Sequence, residues 1–291
     1  MRWSNWALLA VAVIAFGCDE SNPAGNDAAD VDVSDVADVT PDADVMEEAS
    51  CVEAGEAVLE TRETLATVIA SFERDVGSAL RLYANAMLCR CSPAIDFAEV
   101  LAETGGCRIT RSFSGALEDC TALDAGTVTV SVDGTDFALE AMPGAPCFLG
   151  VGGTTPTVAA GDPVRIWSTG GTDVPTFDVT LDLPPDLDPA RPEEDEQFAR
   201  CEAWRFEWTT GLDASTRVGL SGGFGETSYS LSCSPVSSPL DVPVEITSAW
   251  PGPGAGQAYA MTFEERVVPG TMPVTVTVRN ALSGTVQVTI E

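Results

Sequence analysis

This sequence predicts a mainly β fold: an antiparallel β-sandwich, immunoglobulin-like or jelly-roll-like, preceded by a small disulfide-stapled helical module. Three observations carry that expectation. From residue 127 onward, apolar and polar residues alternate, which is the period of a half-buried strand. Between residues 52 and 121 the apolar residues recur every three or four positions instead, which is the period of an amphipathic helix. The chain also contains nine cysteines, as exported domains do when disulfides reinforce a thin core.

Residues 1–17 read as a secretory signal. Arg2 gives a basic start, Trp6 to Phe16 an apolar segment, and Gly17 a small residue before the cut. The segment falls short of the roughly 20 residues a membrane-spanning helix needs. The run Ala15-Phe16-Gly17-Cys18 resembles the lipobox of bacterial lipoprotein precursors. That resemblance implies cleavage before Cys18, diacylglycerol on its thiol and acylation of the new amino group. Several acyl chains anchor a protein stably, at about 0.8 kcal/mol per buried CH₂. The implied address is the cell envelope, with the outer membrane or cell surface favoured. Asp19 resembles an inner-membrane retention signal, which makes the inner membrane the alternative.

Residues 18–50 then form a lipidated cysteine and a disordered acidic linker. Positions 19–50 hold eleven acids, no base and no aromatic residue, too little apolar surface to fold. An EF-hand register from Asp30 fails, with Asp35 where Gly is needed and Pro41 where Glu is needed.

Residues 51–126 are the expected helical module. Val58, Leu65, Ile69, Phe72, Val76, Leu80, Tyr83 and Met87 supply its apolar stripe, with Gly77-Ser78 as a kink or break. Ser92 and Pro93 fit the start of a second helix and Gly105-Gly106 its end. Ser114 to Cys120 fits a short third helix.

Residues 127–291 are the β region. Strand patterns lie at Thr127–Val132, Phe137–Ala141, Val164–Trp167, Phe177–Leu183, Trp204–Trp208, Val218–Leu220, Tyr229–Cys233, Val244–Ile246, Tyr259–Phe263, Val274–Val278 and Val286–Ile290. An acidic, proline-rich loop, Pro184 to Glu196, divides them. It either links two sandwiches split near 184–200 or crosses over within one. Cys201, Trp204 and Cys233 follow one another as in immunoglobulin-like domains, and that order resembles the family over about 90 residues. Leu231 stands where that family places its corner tyrosine.

If Cys18 is lipidated, Cys51, Cys89, Cys91, Cys107, Cys120, Cys147, Cys201 and Cys233 remain, enough for up to four disulfides. Five precede residue 126 and three follow it. If all eight pair, at least one bridge must join front to rear.

The formal net charge is −31, every basic residue is Arg, and His is absent. Without His, Ser-His-Asp and Cys-His nucleophile systems and imidazole zinc sites are excluded. Without Lys, P-loop nucleotide binding and Schiff-base chemistry are excluded. One-sided acidity argues against nucleic acid as a partner. The partners expected are the membrane, through the lipid, and a glycan or another envelope protein.

Three features of the β region suggest ligands. Trp204, Phe206 and Trp208 share one strand face, a surface for sugar rings or else part of the core. The Ser221 to Glu226 run is glycine-rich but lies between strands, as a hairpin does. The acidic loop offers Asp186, Asp188, Glu193 and Asp195, with Glu194 and Glu196, as oxygen ligands. No cofactor is predicted, and calcium at this loop is the metal the residues allow. No catalytic residue is assigned. A binding or structural role is expected, against a carboxylate-based hydrolase acting on polysaccharide or a calcium-stabilised adhesion-type module.

Overall fold

The structure, a computed structural model, describes residues 57–74, 80–113, 117, 120–154, 158–187, 189–208, 215–224, 227–234, 237–281 and 285–291. The signal segment, Cys18, the linker 19–50, Cys51, the Gly77-Ser78 step, Asp188 and the Gly225-Glu226 step lie outside them.

The front section is strand, which corrects the expected helical module. β1 (Val58–Arg74) and β2 (Leu80–Thr104) form a long antiparallel ladder. β3 (Cys107–Phe113) and β4 (Cys120–Ala122) pair with the other edge of β2. The three- and four-residue spacing mixes two faces of these strands. Val68, Ala70 and Phe72 enter a core with Leu82, Ala84, Ala86 and Leu88, whereas Ile69, Tyr83 and Met87 are half-buried. Alanine conceals the alternation: Ala70, Ala84 and Ala86 hold inward positions but carry little apolar bulk and favour helix in isolation. Cross-strand packing overrides that preference. Ser92-Pro93 lies inside β2 rather than at a helix start. Gly105-Gly106 forms the two-residue turn between β2 and β3, with φ of 59° and 77°. A hairpin turn of this kind needs positive φ at both positions.

A second sheet orders as β10-β9-β5-β6, from β5 (Val128–Val132), β6 (Thr135–Ala138), β9 (Pro163–Ser168) and β10 (Phe177–Asp182). β7 (Glu140–Met142) and β8 (Ala145–Thr154) extend the edge of β2. β8 escapes a period-two reading because of its glycines. Gly152 lies under the Tyr83 ring, where an added Cβ would sit 3.3 Å from a ring carbon. β11 (Pro189–Arg191), β13 (Trp204–Trp208) and β16 (Leu240–Val242) form a three-stranded sheet. α1 (Val244–Thr247) is a single helical turn where a strand was expected. Pro243 precedes it, and the Ser248 N–H donates to the Val244 carbonyl at 2.9 Å.

The largest sheet adds β12 (Glu196–Phe198), β14 (Ser215–Phe224), β15 (Thr227–Cys233), β17 (Gly254–Val268), β18 (Val274–Ala281) and β19 (Thr285–Ile290). Its neighbours run β1-β18-β17-β14-β15-β3-β2, and β2 pairs back to β1. Those strands close a barrel-like ring. The fold is mainly β, but the largest sheet closes on itself where an open two-sheet sandwich was expected. Nor is pairing antiparallel throughout: β1–β18 and β12–β19 are parallel. Each joins segments far apart in sequence, so the intervening chain supplies the crossover that parallel pairing needs.

Two cores pack against this sheet. In the first, Val68, Phe72, Leu82 and Val276 cluster with Val130, Ile166 and Leu181 of the four-stranded sheet. In the second, Val218, Leu220, Leu231 and Ile290 cluster with Trp204, Phe206, Val242, Ile246 and Trp250. Residues 184–187 and 189–200 are built into the body. Leu187 and Phe198 join the second core, and Asn280 donates through Nδ2 to the Pro184 carbonyl at 2.7 Å.

The register is testable at Ala86. It is fully buried and pairs with Val68 on one side and Leu149 on the other. Ala86→Leu should overpack the first core and cost about 1–3 kcal/mol, read as a lower denaturant midpoint. An unchanged midpoint would contradict this register.

Candidate functional site

The cysteines concentrate where strands meet. Cys91 and Cys120 face each other across the β2–β4 ladder and are disulfide-bonded. Cys107 and Cys233 do the same across β3–β15, over a sequence separation of 126. That second bridge joins the front section to the rear. Cys201 is also disulfide-bonded. Cys89 and Cys147 are free thiols, both buried. They share a third cluster with Leu65, Cys91, Cys120, Ala145 and Phe148. The Cys89 thiol reaches the Cys147 carbonyl oxygen at 4.0 Å and lies within hydrogen-bonding reach of the Cys147 thiol. Burial first, and then its contact with Cys147, push the Cys89 thiol far above the ordinary thiol range.

The aromatic face of β13 is core and not an open ligand surface. Trp204 and Phe206 are 1% exposed and Trp208 is 7% exposed. Trp204 stacks on Phe198 at 5.2 Å and meets Trp250 edge-on at 5.6 Å. Its indole N–H donates to the Ala199 carbonyl at 2.8 Å, satisfying the polar atom that a buried Trp brings with it. Arg205 and Glu207 occupy the opposite face and pair with each other.

The acidic loop binds itself to the fold. Glu196 accepts from the Arg191 guanidinium and from the Glu193 N–H, each at 2.8 Å. The Asp195 N–H donates to the Gln287 carbonyl at 2.9 Å. Asp186 is exposed. Among the described residues no group of three or more acidic, His or Cys side chains is arranged to hold a metal ion. The glycine-rich run belongs to β14 up to Phe224, which pairs with Thr227 across a hairpin.

Two features had no clear signal in the sequence. The first is the polar face of the closed sheet. On β14, β15 and β18 the residues alternating with core positions are Arg217, Ser221, Ser228, Ser230, Ser232, Thr277 and Arg279. Ser71, Ser112 and Thr277 on this face are 2%, 3% and 5% exposed, and the other residues named are half-buried. Arg217 lies over the Phe263 ring at 4.8 Å. The Arg279 guanidinium is lowered to about 10 by burial and then by the nearby Arg217 charge, which Tyr259, Glu265 and Glu73 partly oppose. It therefore stays charged at neutral pH. Tyr259 lies across Gly219, where a Cβ would meet the Leu231 carbonyl oxygen at 2.1 Å. Its hydroxyl donates to that same oxygen at 3.2 Å.

The second is a carboxylate latch. Asp124 accepts from the Thr172 N–H at 3.0 Å, the Gly126 N–H at 2.9 Å and the Thr172 hydroxyl at 3.2 Å. Its own N–H donates to the Asp173 carboxylate at 3.0 Å, and Asp173 also faces Arg90 at 3.4 Å. The latch ties the segment before β5 to the loop between β9 and β10. A single Asp two residues before a Gly gives no hint of a partner loop almost fifty residues away.

No family model matches the chain, and no curated relative does. Among solved structures it is similar to titin domains Z1Z2 in complex with telethonin, at 11% identity and a TM-score of 0.16, over 61% of this chain and 88% of that one. It is similar also to a chimeric titin Z1Z2 functionalized with a KLER exogenous peptide from decorin, at 12% identity and a TM-score of 0.15, over 80% of this chain and 100% of that one. TM-scores this low carry no argument about fold or function.

The latch gives a pH prediction. The Thr172 and Gly126 N–H groups hold the Asp124 carboxyl below its ordinary value. A carboxyl depressed on folding stabilises the fold above its unfolded pKa of about 3.9, and loses that contribution as pH falls through the folded value. Asp124→Asn should therefore lower the denaturant midpoint at neutral pH. The gap from the parent should narrow as the pH drops below about 4. A gap of constant size across that range would show that the carboxylate charge does not hold the latch.

Proposed function

We propose that this protein is an envelope-anchored lipoprotein with a binding or structural role at the cell surface or in the periplasm. The observation that carries the reading is the Ala15-Phe16-Gly17-Cys18 run, with its apolar segment before and its acidic tract after. The disulfides support it, since Cys91–Cys120 and Cys107–Cys233 suit an oxidising compartment. In this reading Cys18 carries the lipid. The acids of 19–50 repel one another and extend the tract as a spacer, holding the β body off the bilayer. The ligand class is a glycan or another envelope protein.

Expression of the full chain in a bacterium fed radiolabelled palmitate tests the anchor. The parent chain should take up label and sediment with membranes. Cys18→Ser should lose the label and retain its signal segment. A labelled or normally processed Cys18→Ser protein would sink the anchor. On a glycan array, the detergent-solubilised lipoprotein should bind without releasing reducing sugar. Release of reducing sugar would replace this role with a carboxylate-based hydrolase.

A further inference from the structure

We propose that Cys89 and Cys147 are joined by a disulfide in the exported protein, forming a second covalent rung beside Cys91–Cys120. The inference rests on the export reading above and goes beyond it, because it assigns a bond that the structure does not draw.

Met87 of β2 faces Phe148 of β8. Cys89 is two residues further along β2, and Cys147 is one residue back along β8. The paired register ends at Met87 and Phe148, since Ala122 of β4 stands opposite Cys89, and it is the side chains that converge. Both thiols lie in the same buried cluster, with the Cys89 sulfur at 4.0 Å from the Cys147 carbonyl oxygen. The rest of the cluster supplies a precedent. Cys91 is two residues from Cys89 on β2 and is already bridged to Cys120, in the same cluster.

The bond forms by exchange with a disulfide donor, either a protein dithiol–disulfide oxidoreductase or a small-molecule disulfide. The Cys89 thiolate attacks one donor sulfur and expels the first donor thiolate. The Cys147 thiolate then attacks Cys89 Sγ and expels the second. Two cysteine thiols lose two protons and two electrons, and one donor disulfide becomes two thiols. The folded cluster opposes this chemistry, because a buried thiol is seldom a thiolate and exchange needs the thiolate. The bond therefore belongs to folding, before the cluster closes. Once enclosed, it is a structural bridge and not a switch.

The test uses the full chain, exported in a bacterium, then denatured and alkylated without reductant. Trypsin cuts after Arg81 and Arg90, placing Cys89 alone in peptide 82–90, apart from Cys91. That peptide should be released only after reduction. Recovery of peptide 82–90 alkylated at Cys89 before reduction would overturn the proposal. Cys147→Ser checks the partner under the same denaturing conditions, with Cys107 and Cys233 still protected as the sign that the variant has folded. Cys89 should then become alkylated before reduction, and if it stays protected its partner is another cysteine. Failure of the export reading looks different. In that case Cys91, Cys107, Cys120 and Cys233 would be alkylated along with Cys89, whereas failure of this bridge alone leaves those four protected.

Discussion

The ring closes at two seams, and both cores depend on them. β1, β2 and β3 come from the front of the chain, and β14, β15, β17 and β18 from the rear. The two sections meet where β3 pairs with β15 and where β1 pairs with β18. Neither seam can form locally, because each brings together residues more than a hundred positions apart. The β3–β15 seam carries a covalent lock. Cys107 and Cys233 are directly opposite in register, so the bridge fixes alignment as well as proximity. A loop of that length corresponds to roughly 5 kcal/mol of chain entropy removed from the unfolded state, in the entropic account. The β1–β18 seam has no such lock among the described residues. It is held by the first core, where Val68, Ala70 and Phe72 lie beside Val276 and Val278.

Between the seams runs the β1–β2 ladder, which serves the whole molecule. β2 is 25 residues long, against the usual 3–10. Its Leu82–Leu88 stretch lines the first core, Cys89 and Cys91 the third cluster, and Leu101 and Ala102 pack against the second core. A slip of one residue in this ladder would turn each inward side chain outward at once. Bulges between Glu60 and Thr61 and between Arg62 and Thr64 adjust the strand as it passes from one core to another. Such irregularities bend a strand and increase its twist, as closure of a ring requires.

The sequence declared its strands wherever β-branched and aromatic residues alternate with polar ones. Trp204–Trp208 is strand β13 to the residue, and β10 and β18 lie within one to three residues of their patterns. It concealed them where inward positions are small. Ala70, Ala84 and Ala86 in the front section give a period-two reader little to count, and in β8 Gly150 and Gly152 stand on the face away from the core, where polar residues would mark the alternation. Pro243 explains the opposite error, since Val244 to Ile246 has strand composition but follows a residue suited to a helix start. The candidate site was legible only in part. The Cys107–Cys233 bridge joins front to rear, but the parity expectation rested on all eight cysteines pairing, and Cys89 and Cys147 stand as thiols in the structure. The polar face with Arg217 and Arg279 and the Asp124 latch arise from pairings between distant segments, which local pattern does not encode.

The charge distribution explains why the covalent locks matter in this chain. Residues 51–291 carry 34 acids and 13 Arg, a net charge of −21, so the folded body repels itself, and exposed ion pairs offset little, at about 0–1 kcal/mol each. Most of the arginines engaged here are exposed and pair locally, as Arg165 does with Asp178 through two hydrogen bonds of 2.8 and 2.6 Å. Two others, Arg217 and Arg279, lie half-buried on the polar face of the ring, where Tyr259, Glu265 and Glu73 partly offset their mutual repulsion. The excess of like charge therefore works against compaction. Apolar packing in two modest cores and cystines placed at ladder positions work the other way. A cystine is indifferent to salt and pH over the range in which carboxylates titrate. The register of this acidic chain is thus held in part by bonds that salt and pH do not touch.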